Sequence, residues 1–483
     1  MKSETETPAR LKGFVLLYSL TALALIAVAG VLGLLMRFSQ AGWLSLRPAM
    51  FYQLLTVHGL GMVVAALAGA MAMSWWLLSK LPGGRPSYAW LSVIYGVLVL
   101  GVVGVIVATL IGRVGTGWTM LLPLPISRYS AGQWSAWASE LFLDSAILVG
   151  VALLLFFGLV LWQVRRTAGS LAAGLGWGII SGKGQSVPAY VIPLTVSSLT
   201  GLLTTLLGAV YLVLMHLEAT FPDAIIVNRL LAKNLLYAFG HTIINISIYY
   251  AAAAVYVILP TYTKREWKAS RLLAASWNVS LVMVLLAFFH HIYMDFAQPP
   301  GLHIIGQIAS FGVALPPALV TIFGALGYVY RSRMVWVPVP TFIFLGLLGW
   351  MVGGAAAGLD GVIAFNFQLH NTLWVPAHFH TYLLLGVVLF FLAFVAHTLP
   401  EIRGVALGTR SGRWSLGLVF VGGVGQLATW YLSGLAGGPR RYAVLPEGLE
   451  TYSVIASVSI VVVGLGLLVY LLSLAKALLR RPR

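Results

Sequence analysis

The sequence has no cysteine among its 483 residues, and it has few charges. The lack of cysteine excludes disulfide bridges, thiolate metal sites and thiol redox chemistry. Asp, Glu, Lys and Arg together make up 8% of the chain, whereas soluble domains usually carry about 25% of these residues. This number of charged residues is too small to cover a surface that faces water. The composition therefore excludes an ordinary soluble domain.

Hydrophobic residues are abundant instead and make up 60% of the chain. Apolar stretches of roughly 20 residues recur along it, and each is long enough to cross a bilayer as a helix. We predict an all-α integral membrane protein with a single transmembrane domain over residues 1–483. The first stretch has no clear small-residue cleavage site, so we interpret it as a span and not as a removed signal peptide. The twelve predicted spans cover residues 13–36, 50–79, 88–112, 133–163, 186–217, 230–260, 271–298, 302–330, 335–358, 371–399, 414–436 and 452–478.

Lys and Arg are distributed unevenly between the two sides of these spans. If the N-terminus is cytoplasmic, inner segments carry 21 of the 29 basic residues and outer segments carry 8. Cytoplasmic segments of membrane proteins carry such an excess. The bias predicts a multi-pass protein of the cell's inner (cytoplasmic) membrane with both termini cytoplasmic. The net charge of +17 is then explained by the orientation of the spans in the membrane and does not indicate nucleic-acid binding.

Six of the ten histidines are predicted to lie at one depth. At 1.5 Å per helical residue they lie roughly 10–17 Å below the outer surface, on four different spans. They are His58, His241, His290, His291, His378 and His380. A single such histidine is most often a hydrogen-bonded core residue. Six in one layer indicate metal ligation, because imidazole is a common ligand of transition metals and haem iron. A transporter with histidines along its pathway is the remote alternative, and it would spread them across the bilayer.

The spacing of these histidines refines the hypothesis. His378 and His380 point about 200° apart on a helix, so they could ligate two separate metals. His290 and His291 differ by about 100°, so both could turn towards one ion. His241 could reach that ion from a neighbouring span.

Several motifs resemble the catalytic subunit of the haem-copper oxidase superfamily, which includes nitric oxide reductases. The histidine motifs are VHG at His58, FGHTIIN at His241, FFHHIY at His290 and LHNTLWVPAHFH ending at His380. GWTMLLPLP from Gly117 and GGPRRY before span twelve also fit. Since the motifs extend from span two to span twelve, the resemblance implies the fold of that subunit over essentially the whole chain.

The resemblance implies two haems. His58 and His380 would be the axial ligands of a low-spin haem b. His378 would be the proximal ligand of a high-spin haem, which we expect to be b-type. Electrons would reach the low-spin haem first and then pass to the high-spin haem and a second metal.

The resemblance assigns that second metal, in a binuclear centre, to His241, His290 and His291. Three imidazoles suit either copper or iron, and an added oxygen ligand favours non-haem iron. The metal identity therefore stays open between the two.

The resemblance also places four polar residues near the haem propionates. Arg440 and Arg441, in the outer loop between spans eleven and twelve, would pair with the propionates. His370 and Asn371 lie just above span ten, where the family has polar contacts near the same groups.

The sequence departs from oxygen-reducing members at a tyrosine that is cross-linked to a ligand of the second metal. In many members it lies four residues after the first of those histidines, where this chain has Asn245. In another branch it lies on span seven, six residues before the histidine pair, where this chain has Val284. Tyr249 and Tyr250 lie about 12 Å or more deeper, and Tyr237 lies one turn outward from the first histidine.

The electron count gives this departure its meaning. Splitting dioxygen in one step takes four electrons, of which the tyrosine supplies one. Coupling two NO molecules to N2O and water takes two electrons and two protons and needs no redox-active side chain. We therefore expect a nitric oxide reductase in which Asn245 lies at the second metal and its amide oxygen is a possible ligand. A terminal oxygen reductase (cytochrome c or quinol oxidase subunit I) with an altered site is the alternative.

No cytochrome c motif or soluble copper domain is visible in the sequence. We expect a partner subunit of the cytochrome c or copper-domain type to supply the electron entry site on the outer face.

Proton supply is left open. The inner halves of the predicted spans hold no Lys or carboxylate, and hydroxyl and amide groups there could line a water chain or join helices. Glu140 and Asp144 in the outer half of span four allow a route from outside equally well. His216, His303 and His397 match no motif, and we interpret them as packing or interfacial residues.

Overall fold

The computed structural model describes residues 7–184 and 186–480. These residues contain twelve helices that are long and apolar enough to cross a membrane, which confirms the predicted all-α, twelve-span architecture. Helices make up 77% of the structure, and the described residues form no strand. The twelve spans are Ala9–Gln40, Pro48–Ser79, Tyr88–Leu110, Ala136–Ala168, Val191–Thr220, Arg229–Thr263, Arg271–Ile292, Pro300–Val329, Pro338–Gly361, Trp374–Arg403, Thr409–Leu435 and Glu450–Leu478.

Local sequence explains several helix starts. Apolar stretches become helices because a backbone in lipid must satisfy its own hydrogen bonds. Pro48, Pro300 and Pro338 lie in the first turn of their helices, where the missing N–H costs nothing. Before span six, the side chain of Asn228 accepts hydrogen bonds from two backbone N–H groups of the first turn, each 3.0 Å long.

Span seven is shorter and less regular than predicted. It was expected to continue to residue 298 but ends at Ile292. An α-helix over Arg271–Val284 is followed by a 3-10 helix over Ala287–Ile292, which holds the adjacent histidines. Three residues per turn place neighbouring side chains about 120° apart, so the predicted separation of about 100° was too small. Pro299 and Pro300 then begin the next helix after a turn.

Span ten contains a π-helical segment, Leu383–Val388, which begins three residues after His380. Such wider turns occur frequently at functional sites. The span also continues past its predicted end at residue 399 to Arg403. Glu401 therefore lies in its last turn, where it pairs with Lys80 at 2.8 Å. The prediction that the inner halves of the spans hold no carboxylate is wrong at this residue.

The functional histidines lie on the most enclosed spans. The apolar windows of spans two, six and ten are 56%, 89% and 72% buried, whereas those of spans three and twelve are each 28% buried. Spans two, six and ten thus form the centre of the bundle, and they carry four of the six histidines.

Candidate metal centre and cofactor cavity

One cavity connects the predicted site residues. It has a volume of about 360 Å³ and lies between spans two, six, seven and ten. Nine of the predicted site residues lie on its wall: His58, His241, His290, His291, His378, His380, Arg440, Arg441 and Asn245. A transport pathway would distribute these histidines across the bilayer, so the arrangement disfavours the transporter hypothesis.

Three of the histidines form a compact group that could hold a metal ion. One ring nitrogen from each of His241, His290 and His291 lies within 4.8 Å of the others. The ring of His241 lies 4.7 Å from the ring of His290 and 5.1 Å from that of His291, measured between centroids. Three imidazoles directed at one point form a donor set that suits copper, iron or zinc.

Contacts outside this trio orient His290. The Nδ1 atom of His290 lies 3.0 Å from the Ser310 hydroxyl oxygen. The side chain of Asn366 donates a 3.1 Å hydrogen bond to the backbone carbonyl of His290. Metal-ligating histidines usually make such a hydrogen bond through the nitrogen that does not bind the metal. The arrangement leaves Nε2 of His290 available to an ion.

Asn245 lies beside the trio, as the sequence predicts. Its amide nitrogen lies 3.0 Å from Nε2 of His241 and donates to the backbone carbonyl of the same residue, also at 3.0 Å. The nitrogen, and not the oxygen, therefore faces His241. Rotating the amide by 180° would exchange the two atoms and would place the oxygen beside Nε2 of His241. The other nitrogen of that ring, Nδ1, is the one that lies 3.1 Å from Nε2 of His291.

The tyrosines near the trio are placed differently from a cross-linked one. The ring of Tyr237 stacks on His291, with centroids 5.3 Å apart and planes 10° from parallel. The hydroxyl of Tyr382 donates to the backbone carbonyl of Asn245 at 3.2 Å. Val284 occupies the alternative position on span seven and is fully buried.

His58 and His380 face each other across the cavity in a way that fits a haem. Their rings lie 10° from parallel, with centroids 6.2 Å apart. A metal between two imidazoles, bonded at about 2 Å to each, separates the ring centres by roughly 6 Å. The Nδ1 atoms face backbone carbonyls, at 2.7 Å from Ala29 and 2.8 Å from Pro376, so both Nε2 atoms are free to ligate.

Glycine makes room for this pair. A Cβ atom on Gly33 of span one would lie 2.8 Å from Cε1 of His58. A Cβ on Gly59 would lie 2.5 Å from Trp118, whose ring lies nearly parallel to that of Phe379 on the cavity wall. These small residues let the surrounding helices approach the histidines closely.

His378 takes a different direction from His380. Its Nδ1 lies 2.9 Å from the backbone carbonyl of Gly353 on span nine, which again leaves Nε2 free. Span ten thus presents one histidine to span two and another to the compartment that holds the trio. The donor set fits two haems and a third metal.

The predicted propionate partners form one cluster at the outer end of the cavity. The backbone N–H of Arg440 donates to the carbonyl of Asn371 at 3.0 Å, and its side chain reaches the Asn371 amide oxygen at 3.4 Å. The Nε atom of Arg440 is buried and has no hydrogen-bond partner within the described residues. An orphaned buried cationic donor at this place fits a bound carboxylate such as a haem propionate.

His370 belongs to the same cluster. Burial, reinforced by the positive charges of Arg440 and Arg441, lowers the pKa of His370 to about 3. His370 is therefore neutral at physiological pH. The net charge of the cluster then comes from the two arginines, which suits an anionic group.

Sequence reasoning missed several residues of the site. Ser310 and Arg37 line the same cavity, and Arg37 is buried with its guanidinium 5.0 Å from the Trp430 ring. Asp360, which is 4% exposed, ends span nine with one carboxylate oxygen lacking a partner within the described residues. Tyr382 had one available signal, because it follows His378 by four residues and so shares its helical face. The hydrogen-bond partners of His58, His378 and His380 are backbone carbonyl groups. Every residue type has such a group, so the sequence does not reveal them.

Among the remaining predicted groups, Tyr249 lines the cavity, whereas His397 and His303 lie outside its wall. Nδ1 of His397 lies 3.2 Å from the Tyr262 hydroxyl, and the ring of His303 packs 5.3 Å from that of Tyr293. The inner hydroxyl groups bond to one another: Ser280 donates to Tyr249 at 2.9 Å, and Ser198 pairs with Tyr250 at 2.8 Å. These contacts join helices.

The two carboxylates of span four do not point into the bundle. The side chain of Asp144 is 61% exposed and lies 3.7 Å from His216, and Glu140 is exposed too. Neither residue lines the cavity, so the chain itself gives no support to a proton route through them.

Comparisons with known proteins agree with this geometry. Residues 13–467 match the family described as Cytochrome C and Quinol oxidase polypeptide I. Cytochrome c oxidase subunit 1 of Thermus thermophilus is 26% identical over 282 residues, which cover 53% of this chain and 50% of the relative. Quinol oxidase subunit 1 of Bacillus subtilis is 26% identical over 250 residues, or 50% of this chain and 37% of the relative. The chain thus spans half or less of the length of these relatives.

A solved structure shares the fold across nearly the whole chain. It is described as a heme-copper terminal oxidase dimer, and it superposes with a TM-score of 0.84 at 21% sequence identity. The match covers 98% of this chain and 85% of the other. Family match, fold and histidine geometry lead to one conclusion: the chain belongs to the subunit I family of the haem-copper oxidases, whose members bind haems and a further metal centre.

Proposed function

We propose that this chain is the catalytic subunit of a membrane-bound nitric oxide reductase, which converts two NO, two electrons and two protons to N2O and water. One observation supports NO rather than O2 as the substrate. An amide, Asn245, lies 3.0 Å from His241 at the position where oxygen-reducing members have a redox-active tyrosine. NO coupling needs no electron from a side chain, so this site suits it.

The cofactors would be a low-spin haem b, a high-spin haem and a non-haem iron or copper ion. The bound haems would supply electron storage, and the metal pair would supply the place where the gas binds. The chain's own contribution is to fix geometry. Hydrogen bonds from Nδ1 set the tautomers of His58, His378 and His380, and the orphaned guanidinium nitrogen of Arg440 would pair with the carboxylates of a bound haem.

Asn245 has a more specific role in this proposal. Its amide would add no negative charge to the second metal, and its contact of 3.0 Å with Nε2 of His241 positions that ring. We propose that the amide also contacts a gas molecule bound at the metal. A single contact of this kind contributes a few kcal/mol to a transition state, or about one to three orders of magnitude in rate.

A terminal oxygen reductase is the second candidate. The names of the relatives, which are cytochrome c and quinol oxidases, favour it over nitric oxide reduction. Two tyrosines stand near the trio: Tyr382 bonds the backbone of Asn245, and Tyr237 stacks on His291. Either could be the hydroxyl group that dioxygen cleavage requires in a haem-copper site.

The organisation of the whole enzyme is also part of the proposal. We propose that residues 1–483 form one transmembrane catalytic domain. The domain would lie in the inner (cytoplasmic) membrane of the cell, with both termini in the cytoplasm. A partner subunit of the cytochrome c or copper-domain type would deliver electrons on the outer face. The excess of Lys and Arg in inner segments supports the orientation.

Steady-state rates with both gases in one preparation test the proposal. The purified complex is supplied with an artificial electron donor, and N2O formation from NO is compared with O2 consumption. We expect NO to be the faster substrate and the Asn245→Ala variant to lose NO turnover by about one to three orders of magnitude. The His303→Ala variant, altered outside the cavity, is the matched control and should retain both rates. Rapid O2 consumption without N2O formation would establish the second candidate.

A further inference from the structure

The outer half of span four carries two carboxylates on a face that the described part of the chain does not cover. Trp137, Glu140, Asp144 and Val151 are all exposed, and their spacings of 3, 4 and 7 residues place them on one side of the helix. The Asp144 side chain is 61% exposed. The other sides of this helix pack against spans three and five. We call these four residues the acidic face.

Two tryptophans give the depth of this face. Trp137 is 50% exposed and Trp162 is 52% exposed on the same helix, and indole rings concentrate at the two membrane–water interfaces. The 25 residues between them span about 37 Å, which brackets a hydrocarbon layer of about 30 Å. Asp144 is seven residues, or about 10 Å, inside Trp137. Its carboxylate therefore projects into the outer part of the hydrocarbon.

A carboxylate in this position is costly unless it is paired. Ionisable side chains in spans almost always face a bundle interior or a cavity and bond to a partner there. His216 is the group that Asp144 approaches within this chain, at 3.7 Å, which is too long for a hydrogen bond. Among the residues that the structure describes, most of the Asp144 carboxylate has no partner.

We propose that the acidic face is the docking surface for a transmembrane helix of a different protein chain, and that this helix presents a basic side chain to Asp144. Charge complementarity identifies the occupant, because a Lys, Arg or His on a neighbouring helix would remove the cost of the bare carboxylate. Shielding by that helix would also cover Val151 and Trp137. The proposal is independent of which gas the enzyme reduces.

A second copy of this chain fits the face poorly. A two-fold interface brings the same patch together from both subunits, so Glu140 and Asp144 would meet their own copies, and like charges in a contact oppose association. The Lys and Arg residues in the outer halves of the described spans are already engaged elsewhere. Arg37 is buried, Arg229 pairs with Glu218, and Lys233 pairs with Asp295.

Photo-cross-linking in native membranes tests the occupant. A benzophenone amino acid is placed at Val151 in the full-length chain, and a matched control is placed at Leu465, which is 50% exposed and lies as far from the start of span twelve as Val151 lies from the start of span four. We expect the Val151 site to cross-link to a transmembrane segment of another protein, with a Lys, Arg or His about two helical turns from the linked residue towards the outer side, because Asp144 lies seven residues, or about 10 Å, from Val151. Cross-links only to lipid, or to a second copy of this chain, would overturn the proposal.

Charge variants test the pairing itself. Asp144→Asn should reduce recovery of the cross-linked partner with the purified complex by about tenfold or more, because a charge in the partner then loses its counter-ion. Asp144→Lys should abolish recovery, and an acidic substitution at the partner's basic residue should restore it. Asp223→Asn, in an exposed outer loop, is the control. Unchanged haem spectra in every variant verify the fold. Full recovery of the partner with both Asp144 variants would refute the ion pair.

Discussion

The imidazole rings of His58 and His380 lie 10° from parallel, with their centroids 6.2 Å apart, and both direct Nδ1 at a backbone carbonyl. This is the spacing of two ligands on opposite sides of one iron atom. We predict that His58→Ala or His380→Ala removes the low-spin haem and lowers the haem content to half or less, while the high-spin haem stays partly bound. Reduced-minus-oxidised spectra measure this, with His303→Ala as the control. Survival of the low-spin α-band in either variant would refute the assignment.

His378 should control the other haem. It faces the compartment of the histidine trio and is held by the carbonyl of Gly353. We predict that His378→Ala abolishes high-spin haem binding and leaves the low-spin α-band in place. The test is the CO difference spectrum of the reduced protein, and an unchanged CO spectrum would contradict the prediction.

Ser310 should act on the second metal through His290. Its hydroxyl lies 3.0 Å from Nδ1 of that histidine, and loss of such an orienting contact typically lowers metal affinity 10- to 100-fold. We predict that Ser310→Ala loses the second metal during dialysis against a chelator under conditions where the wild type retains it. Metal analysis measures the loss, and Ser411→Ala on the inner side is the control. Equal metal retention would show that Ser310 only packs against the ring.

The Asn245→Glu variant tests whether the side chain at position 245 lies in the coordination sphere of the second metal or only beside it. We predict that Asn245→Glu keeps part of the NO activity and lowers the reduction potential of the second metal, because it adds a negative charge beside His241. Redox titration of the metal signal measures the shift. A potential equal to that of the wild type would place residue 245 outside the metal's coordination sphere.

Tyr382 separates the two candidate functions. Its hydroxyl bonds the backbone of Asn245, so it is well placed to serve dioxygen cleavage but is unnecessary for NO coupling. We predict that Tyr382→Phe retains N2O formation within about threefold, since one neutral hydrogen bond contributes roughly 1 kcal/mol. The oxidase would be supported instead if the wild type reduced O2 rapidly and the Tyr382→Phe variant lost only its O2 consumption.

Much of the architecture could be predicted from the sequence because it follows from composition. Apolar stretches of span length define the helices, and His58, His241 and His380 share a depth that simple counting along the spans reveals. The local departures could not be predicted in the same way. Periodicity assumes 3.6 residues per turn, so it cannot anticipate the 3-10 segment that carries His290 and His291 or the π segment after His380.

The supporting contacts of the site were equally invisible in the sequence. Backbone carbonyls orient three of the histidines, and every residue type supplies a carbonyl. The exposure of individual side chains also could not be predicted. The sequence places Asp144 in the outer half of span four, but only the packing of the helices shows that its carboxylate faces away from the cavity. Side-chain direction depends on which neighbouring helices meet, and those contacts join residues far apart in the chain.

The most direct test of the proposed activity is the product formed from isotopically labelled NO by the fully reduced, purified complex under anaerobic conditions. Mass spectrometry of the headspace counts doubly labelled N2O, and the haem spectra count the electrons removed. The proposed function predicts one N2O for every two electrons withdrawn from the haems and the second metal. Spectra that reoxidise with O2 but not with NO, with no labelled N2O in the headspace, would contradict it.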